Sequence, residues 1–418
     1  MKIVRLIARE IFDSRGMPTI ACDVFLDNGH HVTAAVPSGA SCGEHEVLEM
    51  RDGGDRLFGK GVLKAIHAIE HVVAPALLGK SPELVVIDAI LSELDGTQNK
   101  NILGGNVTLA VSMAICRAQA YVQQQEVYEC IAELIGSESV SLPFPLVNVF
   151  NGGLHSFNNF PIQEIMLVPI GAQNFKISFE YAITVFHALQ ELLQKDKKSI
   201  AVGDEGGFAP CFTSLQEPFD YIMQALEKTN LKDVFVVAID VAANQFYDKK
   251  TKTYYWMNKA LSSHEMIDIY QNLAANYPLY SIEDGLSEYD IHGWQHLYKT
   301  LGGTLQIVGD DLFVTQAQRI IKGQEEEYAN GAIIKPNQVG TLSEAFEALD
   351  ACRATGMNSI VSHRSGETND DFIADFAVGV SAGQIKIGGP CRGERIAKYN
   401  RLLAIEEQLT MGLLDTFE

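Results

Sequence analysis

Phe235-Val-Val-Ala-Ile-Asp240, Tyr280-Ser-Ile-Glu-Asp284, Gln306-Ile-Val-Gly-Asp-Asp311, Ala332-Ile-Ile-Lys-Pro336, Ser359-Ile-Val-Ser-His-Arg364 and Gln384-Ile-Lys-Ile387 are short apolar runs that close on charged or polar residues, and a stretch with helical spacing follows each. With Asp240, Glu283, Asp310, Lys335, His363 and Lys386 as markers, the gaps are 43, 27, 25, 28 and 23 residues. That is the length of one strand plus one helix. Short β-rich runs alternating with helices predict a parallel sheet. The strand-like stretches 144–150 and 163–169 precede these six units and bring the count to eight, which predicts a closed α/β barrel. A doubly wound open sheet, with its cleft at a topological switch point, fits the same rhythm. In the barrel, active sites lie at the C-terminal strand ends, so the markers converge from separate strands on one mouth.

The residue types at that mouth suggest metal and proton chemistry. Asp240, Glu283 and Asp310 end three successive units, and oxygen-only ligands on a rigid scaffold suit Mg²⁺. The neighbouring Asp284 and Asp311 leave the choice within each pair open. Lys335 and Lys386 end two later strands; a lysine beside divalent metal can lose its proton more easily and act as a base. Gly203-Asp-Glu-Gly-Gly-Phe-Ala-Pro210 is a glycine-rich carboxylate loop, and Gln163-Glu164 brings another carboxylate. If Glu164 and Glu205 lie close, repulsion would raise one pKa and keep a proton for acid catalysis. Ser362-His-Arg-Ser-Gly-Glu-Thr368 offers Arg364 and Ser365 as a phosphate clamp. Ser38-Gly-Ala-Ser41 and Asn151-Gly-Gly-Leu-His155 read as lids.

The first 135 or so residues read as an α+β unit: a hairpin over 20–26 and 31–36, a helix over 61–79, and a helix over 106–125 with Asn106 as its N-cap. Ser137-Glu-Ser-Val-Ser-Leu-Pro143 is the expected boundary, giving an N-terminal α+β domain at 1–136 and a C-terminal α/β barrel at 137–418. The net charge of −21 argues against nucleic acid and anionic membrane surfaces as partners. A small phosphorylated acid remains compatible, because bound metal reverses the local field. Seven scattered cysteines without a C-x-x-C pair predict reduced thiols and a cytoplasmic protein. The charged N-terminus argues against a signal peptide, and no apolar run is long enough to span a membrane. Three motifs mislead. Gly54-Asp-Arg-Leu-Phe-Gly59-Lys60 lacks the following hydroxyl of a phosphate loop. His264-Glu265 lacks the second histidine of a zinc site, and His30-His31 reads as surface.

On Asp13-Ser-Arg-Gly16, Ser38-Gly-Ala-Ser41, Gly203–Pro210, Ser281-Ile-Glu-Asp-Gly285, Val308-Gly-Asp-Asp311, Ser362–Thr368 and Glu394-Arg395, the sequence resembles the enolase family from Ile11 to about Leu409. The resemblance implies a Mg²⁺-dependent lyase that interconverts 2-phosphoglycerate and phosphoenolpyruvate in glycolysis and gluconeogenesis. It implies two Mg²⁺ per active site, the first held by Asp240, Glu283 and Asp310 and the second by Ser38. Lys335 would be the base at C2, and Glu205, with Glu164 beside it, the acid at C3. His155 would be the lid histidine, and Gln163, His363, Arg364, Ser365 and Lys386 would bind substrate. The family implies a homodimer or octamer. Alternatives are an enolase-like lyase or synthase acting on a phosphonate analogue, and a non-catalytic binding paralogue. The pattern departs at Met17, Leu154, Phe157, Pro336, Ile387, Gly389 and Gly393. The bulk of Leu154 and Phe157 beside His155 is expected to crowd a closing lid.

Overall fold

The computed structural model of the protein describes residues 1–39 and 43–415; Ala40 and Ser41 of the expected lid, and Cys42, lie outside the described residues. The strands β1 (Ile3–Phe12), β2 (Pro18–Leu26) and β3 (His31–Ala35) form an antiparallel sheet in that order. The expected hairpin is β2–β3. Alternation does not reveal β1, because a register break between Ile3 and Arg5 interrupts it and only Ile3, Leu6 and Ala8 reach the core. Segment 61–79 is helical over Leu63–Ala68, Ile69–Val73 and Ala74–Leu77, with a π turn in the middle. The helix Gly105–Gln123 packs on β2 and β3. Its N-cap is Gly104, not Asn106. The backbone at Gly104 has φ +92° and passes so close to Met50 that a Cβ would meet it at 2.7 Å. Asn106 lies inside the first turn, where its side chain accepts the Met50 N–H at 2.8 Å.

The barrel is closed, which excludes the open sheet. Its strands are β4 (Phe144–Asn151), β5 (Glu164–Val168), β6 (Val236–Asp240), β10 (Leu279–Glu283), β11 (Gln306–Gly309), β12 (Gly331–Ile334), β13 (Asn358–Ser362) and β14 (Gln384–Lys386). The intervening β7 (Tyr247–Asp248), β8 (Thr253–Trp256) and β9 (Lys259–Leu261) form a separate small sheet, which explains the long gap from Asp240 to Glu283. Leu146, Met166, Val168, Ala238, Val308, Ile333 and Ile360 fill the interior. Buried on both faces, these strands read as continuous apolar runs rather than alternating ones.

One expectation of the parallel sheet is corrected. β5 runs antiparallel to both β4 and β6. The connection from β4 to β5, residues 152–163, holds only the short turn Gly153–His155 and no crossover helix, so the chain returns in the opposite direction. As a result the first residue of β5, Glu164, pairs in register with the last of β6, Asp240. Both therefore sit at the mouth.

The N-terminal part docks on the barrel through charge and backbone pairing. Arg117 bonds Asp370 at 2.7 Å and Asp371 at 2.9 Å. Lys100 bonds Glu344 at 2.8 Å. Ser38 and Gly366 exchange two backbone hydrogen bonds, at 2.8 and 3.0 Å, and this hangs the Ser38 segment over the mouth. Glu265 closes a capping box with Ser262 at the start of Ser263–Asn276, a structural role for the misleading His264-Glu265 pair. Among the described residues no helix is long and apolar enough to cross a membrane. Cys22, Cys116, Cys130, Cys211, Cys352 and Cys391 are free thiols.

Candidate active site

Every marker residue lies at the barrel mouth: Asp240, Glu283 and Lys386 as the last residues of their strands, Asp310, Lys335 and His363 one position beyond. A cleft of about 290 Å³ is lined by His155, Gln163, Glu164, Glu205, Asp240, Asp310, Lys335, His363, Arg364, Ser365 and Lys386. Twelve of the thirteen expected site residues thus gather here, counting Glu283 through its bond to Lys386. Ser38 is the exception. Its hydroxyl donates to Glu49 at 3.1 Å and accepts from Arg51 at 3.0 Å, rather than meeting the three carboxylates.

Lys386 is the hub. Its ammonium lies 2.7 Å from Asp240, 2.9 Å from both Glu283 oxygens and 3.0 Å from Glu164. Burial works to lower its pKa, but the ring of carboxylates overrides this and holds it well above the usual lysine value. Lys335 forms a short ion pair with Asp310. Burial opposes its charge too, yet Asp310 raises its pKa. The expectation of a lowered lysine therefore needs a cation to compete for Asp310; with that carboxylate engaged, Lys335 keeps its proton.

The anions outnumber these cations. Burial, and then Asp240, push Glu283 up to about 8. Asp311 is raised to about 7 by burial and Asp310. The structure also separates the ambiguous pairs. Both oxygens of Asp284 accept backbone N–H groups, from Asp310 and Asp311, at 2.9 Å each, so Asp284 anchors the next strand end while Glu283 faces Lys386. Asp311 accepts from Asn244 at 2.8 Å. Ligand atoms of Asp284, Asp310 and Asp311 lie within 4.8 Å of one another. Asp240 and Asp310 lie near enough to Glu283 to raise its pKa, and the three together form an all-oxygen, net-negative donor set that fits a hard divalent cation.

On the opposite side of the mouth, Glu164 and Glu205 lie close together, with ligand atoms of both and of His155 within 4.8 Å of one another. Burial and the Glu205 charge raise the Glu164 pKa well above the usual carboxyl range. Burial would raise the Glu205 pKa, but the neighbouring His155 outweighs it and holds Glu205 well below the usual range. His155 Nδ1 lies 2.9 Å from Glu205. His363 Nδ1 lies 2.7 Å from Arg395 Nη1; a guanidinium can only donate, so the imidazole carries its hydrogen on Nε2, 3.7 Å from Glu205. Burial, then Arg395, depress the His363 pKa well below its ordinary value.

Arg395 is a residue whose role sequence reasoning missed, although it belongs to a quoted motif. Fully buried, it donates to the Arg364 and Ser365 carbonyls at 2.7 Å and to Asp204 at 3.1 Å, tying the 362–368 turn to the acid loop. Arg15 likewise links Ser365 Oγ, at 3.2 Å, with the Ser38 carbonyl, at 2.9 Å. The Arg364 guanidinium forks onto Glu46 at 2.8 and 3.2 Å. Gly389 is required by close approach: its N–H donates to Glu205 O at 2.7 Å, and a Cβ would lie 2.6 Å from Gly206 O. The bulky residues beside His155 do not crowd the loop. Leu154 is 61% exposed and Phe157 fully exposed, while Ser156 and Asn158 turn inward to bond the Asn151 carbonyl at 3.2 and 2.8 Å.

Family models match both parts of the chain: the enolase N-terminal domain over residues 3–131 and the enolase C-terminal TIM barrel domain over residues 139–413. The chain belongs to the enolase family. It is 46% identical over 410 residues to an enolase of Natranaerobius thermophilus, covering 97% of this chain and 95% of that one. It is 45% identical over 410 residues to an enolase of a Nitratiruptor species, covering 97% of each. Identity at this level over nearly the full length makes it an enzyme of the phosphopyruvate hydratase class.

Proposed function

We propose that the protein interconverts 2-phosphoglycerate and phosphoenolpyruvate plus water by stepwise proton abstraction and hydroxide loss, with two Mg²⁺ per working site. The observation that carries this reading is the opposed geometry of the mouth. Lys335 stands on one side and the Glu164–Glu205 pair on the other, around a single cleft. A C–H beside a carboxylate is very weakly acidic, since its removal adds charge to an anion. Bound Mg²⁺ would stabilise that charge on the substrate and favour a neutral lysine.

Asp240, Glu283 and Asp310 would hold the first cation, and Ser38, after movement of its segment, the second. Lys335 takes the C2 proton. Lys386 supplies a fixed positive charge to the substrate carboxylate, oriented by three buried acids. The Glu164–Glu205 pair passes its proton to the departing C3 hydroxyl; His155 and His363 hold Glu205 in place. Arg364 and Ser365 receive the phosphate, while Gln163 faces the substrate beside Asp240. The same reading assigns the domains to 1–136 and 137–418, the place of action to glycolysis in the cytoplasm, and the assembly to a homodimer or octamer. The free cysteines suit a reducing compartment. The intact set of acids and lysines favours this substrate over a phosphonate analogue or a binding role. The test is to mix purified protein with 2-phosphoglycerate and Mg²⁺ and follow the ultraviolet absorbance of the enol phosphate. No product with intact, Mg²⁺-loaded protein would overturn the reading.

A further inference from the structure

We propose that Gln245 is a positioning residue that couples the loop over the active site to the substrate-facing amide of Gln163, and through it to Asp240. Gln245 lies on the short helical turn Ala243–Phe246 that follows β6. Its Oε1 accepts the backbone N–H of Leu154 at 3.2 Å. Its Nε2 donates to Gln163 Oε1 in a short hydrogen bond. Gln163 Nε2 in turn donates to Asp240 Oδ2 at 3.2 Å.

The direction of this relay is fixed at both ends. A backbone N–H can only donate, so Gln245 must present its oxygen to Leu154 and its amine to Gln163. An ionised carboxylate can only accept, so Gln163 must present its amine to Asp240. The two constraints agree, and each amide is held in one of its two possible orientations. Room for Gln245 is made by Gly153, at φ +53°, where a Cβ would sit 3.1 Å from Gln245 Oε1. Leu154 itself is exposed, and its N–H is held by Gln245, whereas Ser156 and Asn158 are held by Asn151. Gln245 thus joins the exposed Leu154 position of this loop to Gln163 on the rim, while backbone bonds to Gln163 and Phe160 and the His155–Glu205 contact hold the neighbouring residues.

The kinetic part of this proposal rests on the proposed function; a proteolytic readout does not. Phe157 is fully exposed on the loop, so chymotrypsin cleavage after it reports how often the loop opens. Gln245→Met removes both hydrogen bonds at nearly constant volume. At typical values per bond, the pair amounts to about a tenfold change. Gln245→Met in the full-length, Mg²⁺-loaded protein should raise KM for 2-phosphoglycerate about tenfold, leave kcat within about threefold, and speed cleavage after Phe157 about tenfold. Gln245→Ala should behave alike, and it stands in if the methionine variant fails to fold. Unchanged cleavage overturns the relay whether or not the protein turns over the acid. Faster cleavage with unchanged KM overturns its part in substrate binding. A fall in kcat at constant KM overturns it too, since that would place Gln245 in the chemistry rather than in loop positioning. Absence of any turnover by the unaltered protein would count against the proposed function alone.

Discussion

At the strand-end rim, Glu164, Glu205, Glu283 and Lys386 are each at most 3% exposed, and each touches at least one oppositely charged or hydrogen-bonded partner. Across the mouth, loop 152–159 turns Leu154 and Phe157 to solvent; His155 is buried against Glu205, and hydrogen bonds to Asn151, Gln163, Pro210, Phe212 and Gln245 hold the rest. The rim sits on strands whose positions are set by a packed interior, so its geometry survives small perturbations. Apart from His155, the loop has little buried side-chain surface to fix it. On the proposed mechanism, proton chemistry falls to the rim, where displacement of a reacting group is costly, and access to the loop.

Substitutions at the rim should accordingly have the largest effects. Lys335→Ala should lower kcat by about 10³-fold or more and abolish exchange of the C2 proton with solvent deuterium. Glu205→Gln should slow dehydration far more than exchange. If exchange were lost in Glu205→Gln and retained in Lys335→Ala, the two roles would be reversed.

Lys386→Met should leave Asp240, Glu283 and Glu164 without their shared cation. With Mg²⁺ chelated, unfolding in urea should show a loss of about 3–5 kcal/mol. Added Mg²⁺ should recover part of it. A loss confined to the Mg²⁺-loaded protein would argue that Lys386 is not what balances these acids.

Asp240→Asn should weaken Mg²⁺ binding at least about tenfold by calorimetry while leaving the fold intact. An unchanged affinity would remove Asp240 from the cation site.

The raised Glu283 makes a signed prediction about pH. Its folded pKa, about 8, lies above the ordinary 4.5. Folding therefore takes up a proton, and this contribution to stability is full below about 4.5 and lost as pH rises through about 8. With Mg²⁺ chelated, Glu283→Gln should flatten the decline in unfolding free energy over that interval. An equally steep decline in the variant would show that other groups cause it.

The smallest effect is expected on the loop. Leu154→Ser with Phe157→Gly removes exposed bulk, and exposed substitutions usually shift stability within about 0.5 kcal/mol. KM for 2-phosphoglycerate should change by less than about threefold. A large drop would mean that the closed loop is crowded in a way this conformation does not display.

Much of this was legible because barrel strands are buried on both faces and leave short apolar runs with functional residues at their ends. Six runs of that kind located Asp240, Glu283, Asp310, Lys335, His363 and Lys386. β1 escaped notice because its bulge interrupts the alternation. The Asn106 cap failed because the N-cap falls two residues earlier, at Gly104, which meets Met50 too closely for any side chain. Arg395 and Gln245 could not be assigned by spacing, since their partners lie far away in sequence and meet them only after the barrel closes.

Sequence alone determined the strand–helix rhythm, the separate α+β segment, the family and the residue types at the mouth, because those depend on local periodicity and on motifs within a few residues. Tertiary structure decided that β5 reverses and brings Glu164 level with Asp240, that Lys386 sits among three acids, and that burial beside Glu205 raises the Glu164 pKa. These depend on distances between residues far apart in the chain and on the loss of water around them. Only closure of the barrel sets either one.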